Sequence, residues 1–262
     1  MPECPHICSV INRFMRFHWL LPSVKGIPVL MYHRVWPGLK DGLTVTPEQL
    51  REHWSYLKSE GYEALTLPEF LSIAKAEIKP TGKKMLLTFD DGYHNNLTYV
   101  YPLLKEFNWS ATFFIIGNTL EGEIDDGNPV NRKMTVGELR QLDPETVQLA
   151  MHGYDHENFK HTSSDDIKAA VLKSLQIFNE YGLHLHRSIA YPYGARPNDS
   201  QVFSGLKEWM KENNIDAAFR IGNQVCQIPA PDIYEIRRID IKGTDTMDDF
   251  RIKLRKGKLK PF

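Results

Sequence analysis

Short apolar runs alternate with longer amphipathic stretches over more than two hundred residues of this 262-residue chain, and few architectures satisfy that rhythm. Residues 27–32 (IPVLMY) show no polar face, so they read as a strand buried on both sides. Residues 46–60 read as a helix. Thr46 is placed to cap it, Pro47 fills the first helical position, Gln49 completes a capping box, and Gly61 ends it. Further strands are predicted at 62–66, 84–89, 111–116, 147–151, 188–191, 217–221 and 234–241. Helices are predicted at 68–75, 97–107, 135–142, 165–181, 201–213 and 247–255. The stretch 121–133, with two glycines, one proline and many charges, reads as an exposed loop. Strand–helix alternation on this scale implies an α/β fold with a mostly parallel sheet, either open or closed into a barrel. Neither GxGxxG nor GxxxxGK[ST] occurs, so a nucleotide-binding fold has little support.

The remaining bulk properties exclude several classes. Hydrophobic residues are 42% and charged residues 25% of the chain, and the formal net charge is −1. That is an ordinary globule without the basic excess of a general nucleic-acid binder, so no nucleic-acid partner is expected. The three cysteines, Cys4, Cys8 and Cys226, make no disulfide framework. Cys4, His6 and Cys8 match no standard zinc spacing. No uninterrupted apolar run is long enough to span a bilayer.

Polar residues collect at the ends of the predicted strands. His33 follows IPVLMY, Asp90 and Asp91 follow KMLLTF, and His152 follows VQLAM with His156 four residues on. Tyr193 and Gly194 follow SIAYP, and Arg220 lies within AAFRI. In a parallel barrel the C-terminal strand ends form one rim, where catalytic groups gather. In TFDDG, extended geometry would send the two aspartates to opposite sides, and a turn at Gly92 can bring both into one pocket. Alone, such a turn also serves as a solvated helix cap. In HGYDH two imidazoles can converge on one ion, and with a carboxylate they leave an open position for water, as a catalytic metal needs. Asp155 between them could orient an imidazole.

TFDDG, then H-x₃-H about sixty residues later, then YPYG, resemble the polysaccharide deacetylase family (NodB-homology domain, carbohydrate esterase family 4). The opening PVLMYHRV is similar to the branch of poly-N-acetylglucosamine de-N-acetylases. The resemblance covers roughly residues 27–241. It implies a distorted (β/α)₇ barrel over 27–262, preceded by an extension at 1–26. It implies metal-assisted hydrolysis of an N-acetyl group on a saccharide or glycoconjugate. The metal would be a divalent cation held by Asp91, His152 and His156: zinc first, with Co²⁺, Ni²⁺ or Fe²⁺ as alternatives. Asp90 would be the catalytic base, and the Tyr193 N–H would help form the oxyanion hole.

The chain departs from that pattern in three places. Gly153 stands where many members have Ser or Thr. Ala190 stands where many have an arginine that pairs with the catalytic aspartate. No histidine follows His186, so the histidine that acts as general acid in many members is missing. His33 is the candidate acid, with a buried backbone-bonded histidine as the alternative. Arg238, in phase with Ile236 and Asp240 on a late strand, is expected to point inward and replace the missing arginine. Competing readings are an amidohydrolase of a non-sugar C–N bond and a non-catalytic carbohydrate-binding barrel. Tyr32, Trp36, Tyr93 and Tyr154 are candidate sugar-stacking aromatics, whereas Trp54 and Trp109 are expected in the core. With no cleavable signal discernible, a cytoplasmic enzyme is expected. Residues 7–21 place Ile7, Ile11, Phe14, Phe17 and Leu21 beside Arg13, Arg16 and His18. Such a helix could lie on the inner membrane face or pack across the barrel's N-terminal end.

Overall fold

The computed structural model describes residues 24–122 and 127–259. In chain order the strands are β1 (Val29–Tyr32), β2 (Arg34–Val35), β3 (Thr44–Val45), β4 (Tyr62–Ala64), β5 (Lys83–Phe89), β6 (Ala111–Ile115), β7 (Val147–Met151), β8 (Leu185–Ala190), β9 (Ala217–Ile221) and β10 (Ile236–Asp240). The helices are α1 (Pro47–Ser59), α2 (Leu67–Ala74), α3 (Tyr101–Phe107), α4 (Val136–Leu139), α5 (Ser164–Glu180), α6 (Ser200–Glu212) and α7 (Met247–Lys256). Strands β5 to β10 pair in sequence and in parallel, and β1 closes the ring by pairing with both β10 and β5. The result is a seven-stranded distorted (β/α)₇ barrel. Strand β4 lies along the first residues of β5, while β2 and β3 form a separate short ladder. The segments 1–26 and 7–21 singled out in the sequence lie, apart from residues 24–26, outside the described residues, as do Cys4, His6 and Cys8. Among the described residues no helix is long and apolar enough to cross a membrane.

Strand alternation sorts the core into an inside and an outside. Val29, Leu86, Phe114, Ala150, Ala190, Phe219 and Ile236, one from each barrel strand, pack into one buried cluster with Leu67, Phe70, Leu71 and Ala74 of α2. That cluster is the barrel interior, and α2 plugs one end of it. Gln148, in phase with Ala150, reaches the same helix by accepting from the Leu67 N–H at 3.4 Å. The out-of-phase residues Leu30, Tyr32, Leu87, Phe89, Phe113 and Ile239 face outward onto α1, α3 and α7. Met151, Ile189 and Ala218 likewise face α5 and α6. Strands β1, β5, β6 and β7 are thus largely apolar on both faces, which is why they read as near-continuous apolar runs.

Local differences from the sequence reading have local causes. Thr46 caps α1 by accepting from the Gln49 N–H. The Gln49 side chain does not return the bond. It donates instead to the carbonyls of Gly243 and Asp245 at 3.2 and 3.0 Å, so the expected capping box is only half made. The reciprocal boxes occur at Thr66/Glu69, Thr135/Glu138 and Thr246/Asp249. The helix expected at 97–107 opens as a π-helical turn, Asn96–Val100, before α3. Pro102 has no N–H for the carbonyl four residues back, and the widened turn accommodates that loss.

Trp54 is fully buried in the outer layer, with its ring 5.7 Å from those of both Phe107 and Trp109. Trp54→Ala is expected to destabilise the fold by about 3–5 kcal/mol, read as a lower urea midpoint with an unchanged slope.

Candidate metal centre and catalytic rim

The barrel interior becomes polar toward the C-terminal strand ends. Thr88 and Asp90 are in phase with Leu86, His152 with Ala150, and Arg238 with Ile236, so all four side chains point inward. Each is at most 2% exposed. Asp91 is out of phase and would point outward in extended backbone. Its φ of 71°, followed by 68° at Gly92, turns the chain back and returns the carboxylate to the interior. His156 and Tyr193 also have positive φ, 53° and 58°. These three make up three of the seven described non-glycine residues in that region, and three of the other four are asparagines, which tolerate it. Strain of about 1–3 kcal/mol per residue, concentrated on the rim, marks a site whose geometry is held by its surroundings.

One ligand atom each from Asp91, His152 and His156 lies within 4.8 Å of the others. Asp91 Oδ1 is 3.3 Å from His152 Nε2 and 3.4 Å from His156 Nε2. That oxygen is buried without a hydrogen-bond partner. His152 Nδ1 lies 2.8 Å from the Ala190 carbonyl. A carbonyl can only accept, so Nδ1 carries the proton and Nε2 turns its lone pair to the cluster. One carboxylate oxygen and two imidazole nitrogens around an orphaned oxygen suit a borderline transition ion better than Mg²⁺ or Ca²⁺. The residues therefore fit a catalytic divalent metal. Protonation follows the same logic. Burial would push the Asp91 carboxyl up, but His152 and Lys133 hold it well below the usual carboxylate range. Burial opposes charge on His152, yet Asp90 and Asp91 raise it. Burial and the neighbouring His152 push His156 down to about 4, so it is neutral near pH 7. The cluster draws in positive charge, and a proton on His152 competes with a metal ion for it.

Asp90 is clamped. Arg238 donates from both terminal nitrogens to the two Asp90 oxygens at 2.6 and 2.7 Å, and to the Thr88 hydroxyl at 3.3 Å. The pair spans the barrel from β5 to β10, and the expected inward phase of Arg238 is what the register produces. Burial raises the Asp90 carboxyl, but Arg238 and His152 outweigh it and hold it below the ordinary range. His33, in phase with Val29, acts electrostatically on both carboxylates. Its Nδ1 is buried and unpaired.

Other sequence-predicted rim residues fare differently. Tyr193 is 62% exposed, and its ring stands edge-on to His156 at 4.4 Å. Arg220 does not join the site. It pairs across β9–β10 with Arg237, out of phase with the inward Arg238, and donates at 2.6 Å to Glu235, which Arg196 shares. Tyr32 is fully buried and cannot stack on a sugar. Lys133 covers the Tyr93 ring at 3.3 Å and Lys173 the Tyr154 ring at 3.8 Å. Asp155 accepts from Asn118 and does not orient an imidazole. Gly153 has φ 74°, a backbone that L side chains rarely adopt, so glycine suits this loop where Ser or Thr would be strained.

Lys133 is the site neighbour that the sequence concealed. It sits at the end of a segment read as an exposed loop, yet that loop folds back. His94 N–H donates to the Arg132 carbonyl and Met134 N–H to the Gly92 carbonyl, each at 2.8 Å. The zipped segment brings the Lys133 ammonium to 4.0 Å from Asp91 Oδ2. No periodicity or motif in 121–133 signals that return.

Residues 77–209 match the family model for polysaccharide deacetylase. The chain belongs to the polysaccharide deacetylase family. Among its relatives is the putative polysaccharide deacetylase YxkH of Bacillus subtilis, 27% identical over 168 residues, which are 64% of this chain and 57% of that protein. Another is the poly-β-1,6-N-acetyl-D-glucosamine N-deacetylase of Escherichia coli K12, 28% identical over 102 residues, 38% of this chain and 15% of that protein. The chain thus spans just over half of the first relative and a small part of the second. The solved structure of IcaB from Ammonifex degensii superposes with a TM-score of 0.73 at 19% identity, covering 90% of this chain and 99% of that one. At that identity the likeness carries the fold alone.

A buried carboxylate left without its guanidinium is costly. Arg238→Ala is expected to destabilise the protein by about 3–5 kcal/mol in thermal or urea unfolding. The double variant Asp90→Asn with Arg238→Met should recover much of that loss, because no charge is then left uncompensated. Equal instability in both variants would show that packing, not charge, dominates there.

Proposed function

We propose that the chain is a metal-dependent N-deacetylase acting on an amino-sugar-containing polysaccharide or glycoconjugate. One observation carries the reading: the convergence of Asp91, His152 and His156 beside a carboxylate that Arg238 clamps. A bound divalent cation, zinc by its donor set, would supply Lewis-acid polarisation of the acetyl carbonyl and acidify the attacking water. Asp90 keeps a free lone-pair site on each oxygen after Arg238 has taken one, so it can accept the proton of that water. Water oxygen bonds to the acetyl carbon, and the C–N bond then breaks. The Tyr193 backbone N–H, turned by its left-handed conformation, donates to the negative charge growing on the acetyl oxygen. His33, with an unpaired ring nitrogen beside both aspartates, returns a proton to the departing amine. The products are acetate and a free amino sugar. The E. coli relative's named substrate, poly-β-1,6-N-acetyl-D-glucosamine, supports this class.

Acetate release from N-acetylglucosamine polymers by purified protein tests the proposal. Chelation should abolish release and zinc should restore it. Asp90→Asn should lower turnover by about 10²–10⁴-fold while metal content stays unchanged; Asp91→Asn should lower metal content itself. Full activity in a metal-free His152→Ala protein would sink the mechanism. The pH profile adds a signed check. With Arg238 in place, Asp90 stays ionised below the usual carboxylate range, so the acid limb lies low. In Arg238→Ala burial is opposed by His152 and His33 without the guanidinium, so the acid limb should move to higher pH.

A further inference from the structure

Asp91 turns its two oxygens to different neighbours. Oδ1 lies 3.3 and 3.4 Å from the Nε2 atoms of His152 and His156, while Oδ2 lies 4.0 Å from the Lys133 ammonium. Lys133 is not a loose surface lysine. Its side chain is 14% exposed, and its Nζ stands 3.3 Å from the centre of the buried Tyr93 ring. The backbone dictates that contact. Lys133 is bridged to Tyr93 in antiparallel register. The His94–Arg132 and Met134–Gly92 bonds on either side make the two a directly opposed pair, with both side chains on one face. Tyr93 lies two residues after Asp91, so the bridge that sets Lys133 on the ring also sets it against the TFDDG turn. The charges then match in pairs. Asp90 faces Arg238 and Asp91 faces Lys133, while His156 is neutral near pH 7. The two cations differ in shape. The Arg238 fork takes both Asp90 oxygens, whereas an ammonium is a point charge that leaves a second oxygen open.

We infer that Lys133 is a positioning residue for the metal centre: it holds Oδ2 of Asp91 away from the ion, so that Asp91 binds through Oδ1 alone, and its charge keeps the centre electrophilic. The inference rests on the metal-dependent reading above. A carboxylate free to bind through both oxygens would fill a position that a catalytic site must keep open. A neighbouring positive charge opposes a divalent cation, so the lysine lowers metal affinity. It also draws off carboxylate charge that would otherwise weaken the pull of the centre on a carbonyl. One side chain thus sets affinity against reactivity, and that opposition separates this role from a lysine that only braces the loop.

Zinc affinity is measured at neutral pH by competition with a chromophoric chelator. Ligand number is read from the visible absorption of Co²⁺-loaded protein, which weakens as ligands are added. Lys133→Met and Lys133→Gln remove the charge, the second serving should the first fold poorly. Both should bind zinc roughly tenfold more tightly than wild type and give a weaker Co²⁺ band, while acetate release falls through kcat with KM unchanged. Lys133→Arg keeps the charge and should bind zinc no more tightly than wild type. An unchanged or lower zinc affinity in a folded, uncharged variant overturns the inference. A lower affinity makes Lys133 a brace for the loop, and an unchanged affinity with a raised KM makes it a substrate contact. An unchanged Co²⁺ band overturns binding through one oxygen. Shifted affinity and band, with no acetate released by any form, defeats the deacetylase reading and leaves the role of Lys133 standing. Wild-type protein that binds neither zinc nor Co²⁺ defeats the metal reading and this inference with it.

Discussion

A guanidinium with no exposed surface has to be matched, and in this barrel Asp90 matches it. The Arg238–Asp90 pair sits where the apolar interior gives way to the reactive rim. Burial of two ions is expensive, and an isolated pair rarely repays its desolvation. Here the cost is offset by two aligned hydrogen bonds and by a third to Thr88, whose own hydroxyl donates to the Leu30 carbonyl at 2.9 Å. The arrangement links β1, β5 and β10, the strands at the closure of the barrel. A carboxylate held this way stays ionised and fixed in orientation, and with Asp91 it raises the neighbouring His152 against burial.

Much of this was legible in the sequence because it follows from period. Two-fold alternation in fully apolar strands announces a sheet covered on both faces. The phase of Ile236, Arg238 and Asp240 announces which arginine turns inward. The DDG turn announces two carboxylates in one pocket, since Gly92 permits the backbone that extended geometry forbids. Arg220 escaped the same logic. Its strand could be placed, but its phase relative to the barrel axis could not be fixed without the register to β10. Lys133 was illegible for another reason. Its segment returns to the rim through main-chain hydrogen bonds, and such bonds leave no side-chain pattern. The unmade half of the Thr46 box shows the remaining limit. Gln49 prefers carbonyls nearly two hundred positions away to its own helix end.

The rim also stores strain where ligands must converge. Asp91, His156 and Tyr193 each adopt backbone that most side chains avoid. The surrounding main-chain bonds from Gly117 and Asn118 to the carbonyls of Gly153 and Tyr154, at 3.0 and 2.8 Å, hold the HGYDH loop in that form. For a cation of the kind proposed, the ligand atoms would stand already assembled, and little ordering would have to accompany its binding.

The closure of the barrel has a consequence for the time course of its assembly. Strand β1 pairs with β5 through four register positions and with β10 through two, and the clamp joins residues 148 positions apart. During synthesis from the N-terminus, β1 can dock on β5 early, but its other edge stays open until the last strand emerges. Asp90 meanwhile waits in an unfinished interior without its counter-ion. Contacts of such sequence separation form late and slow folding, because loop-closure entropy must be met before they are gained. The nascent chain thus carries a bare strand edge and an uncompensated carboxylate through most of its synthesis. Both defects are removed in one event, when β10 arrives.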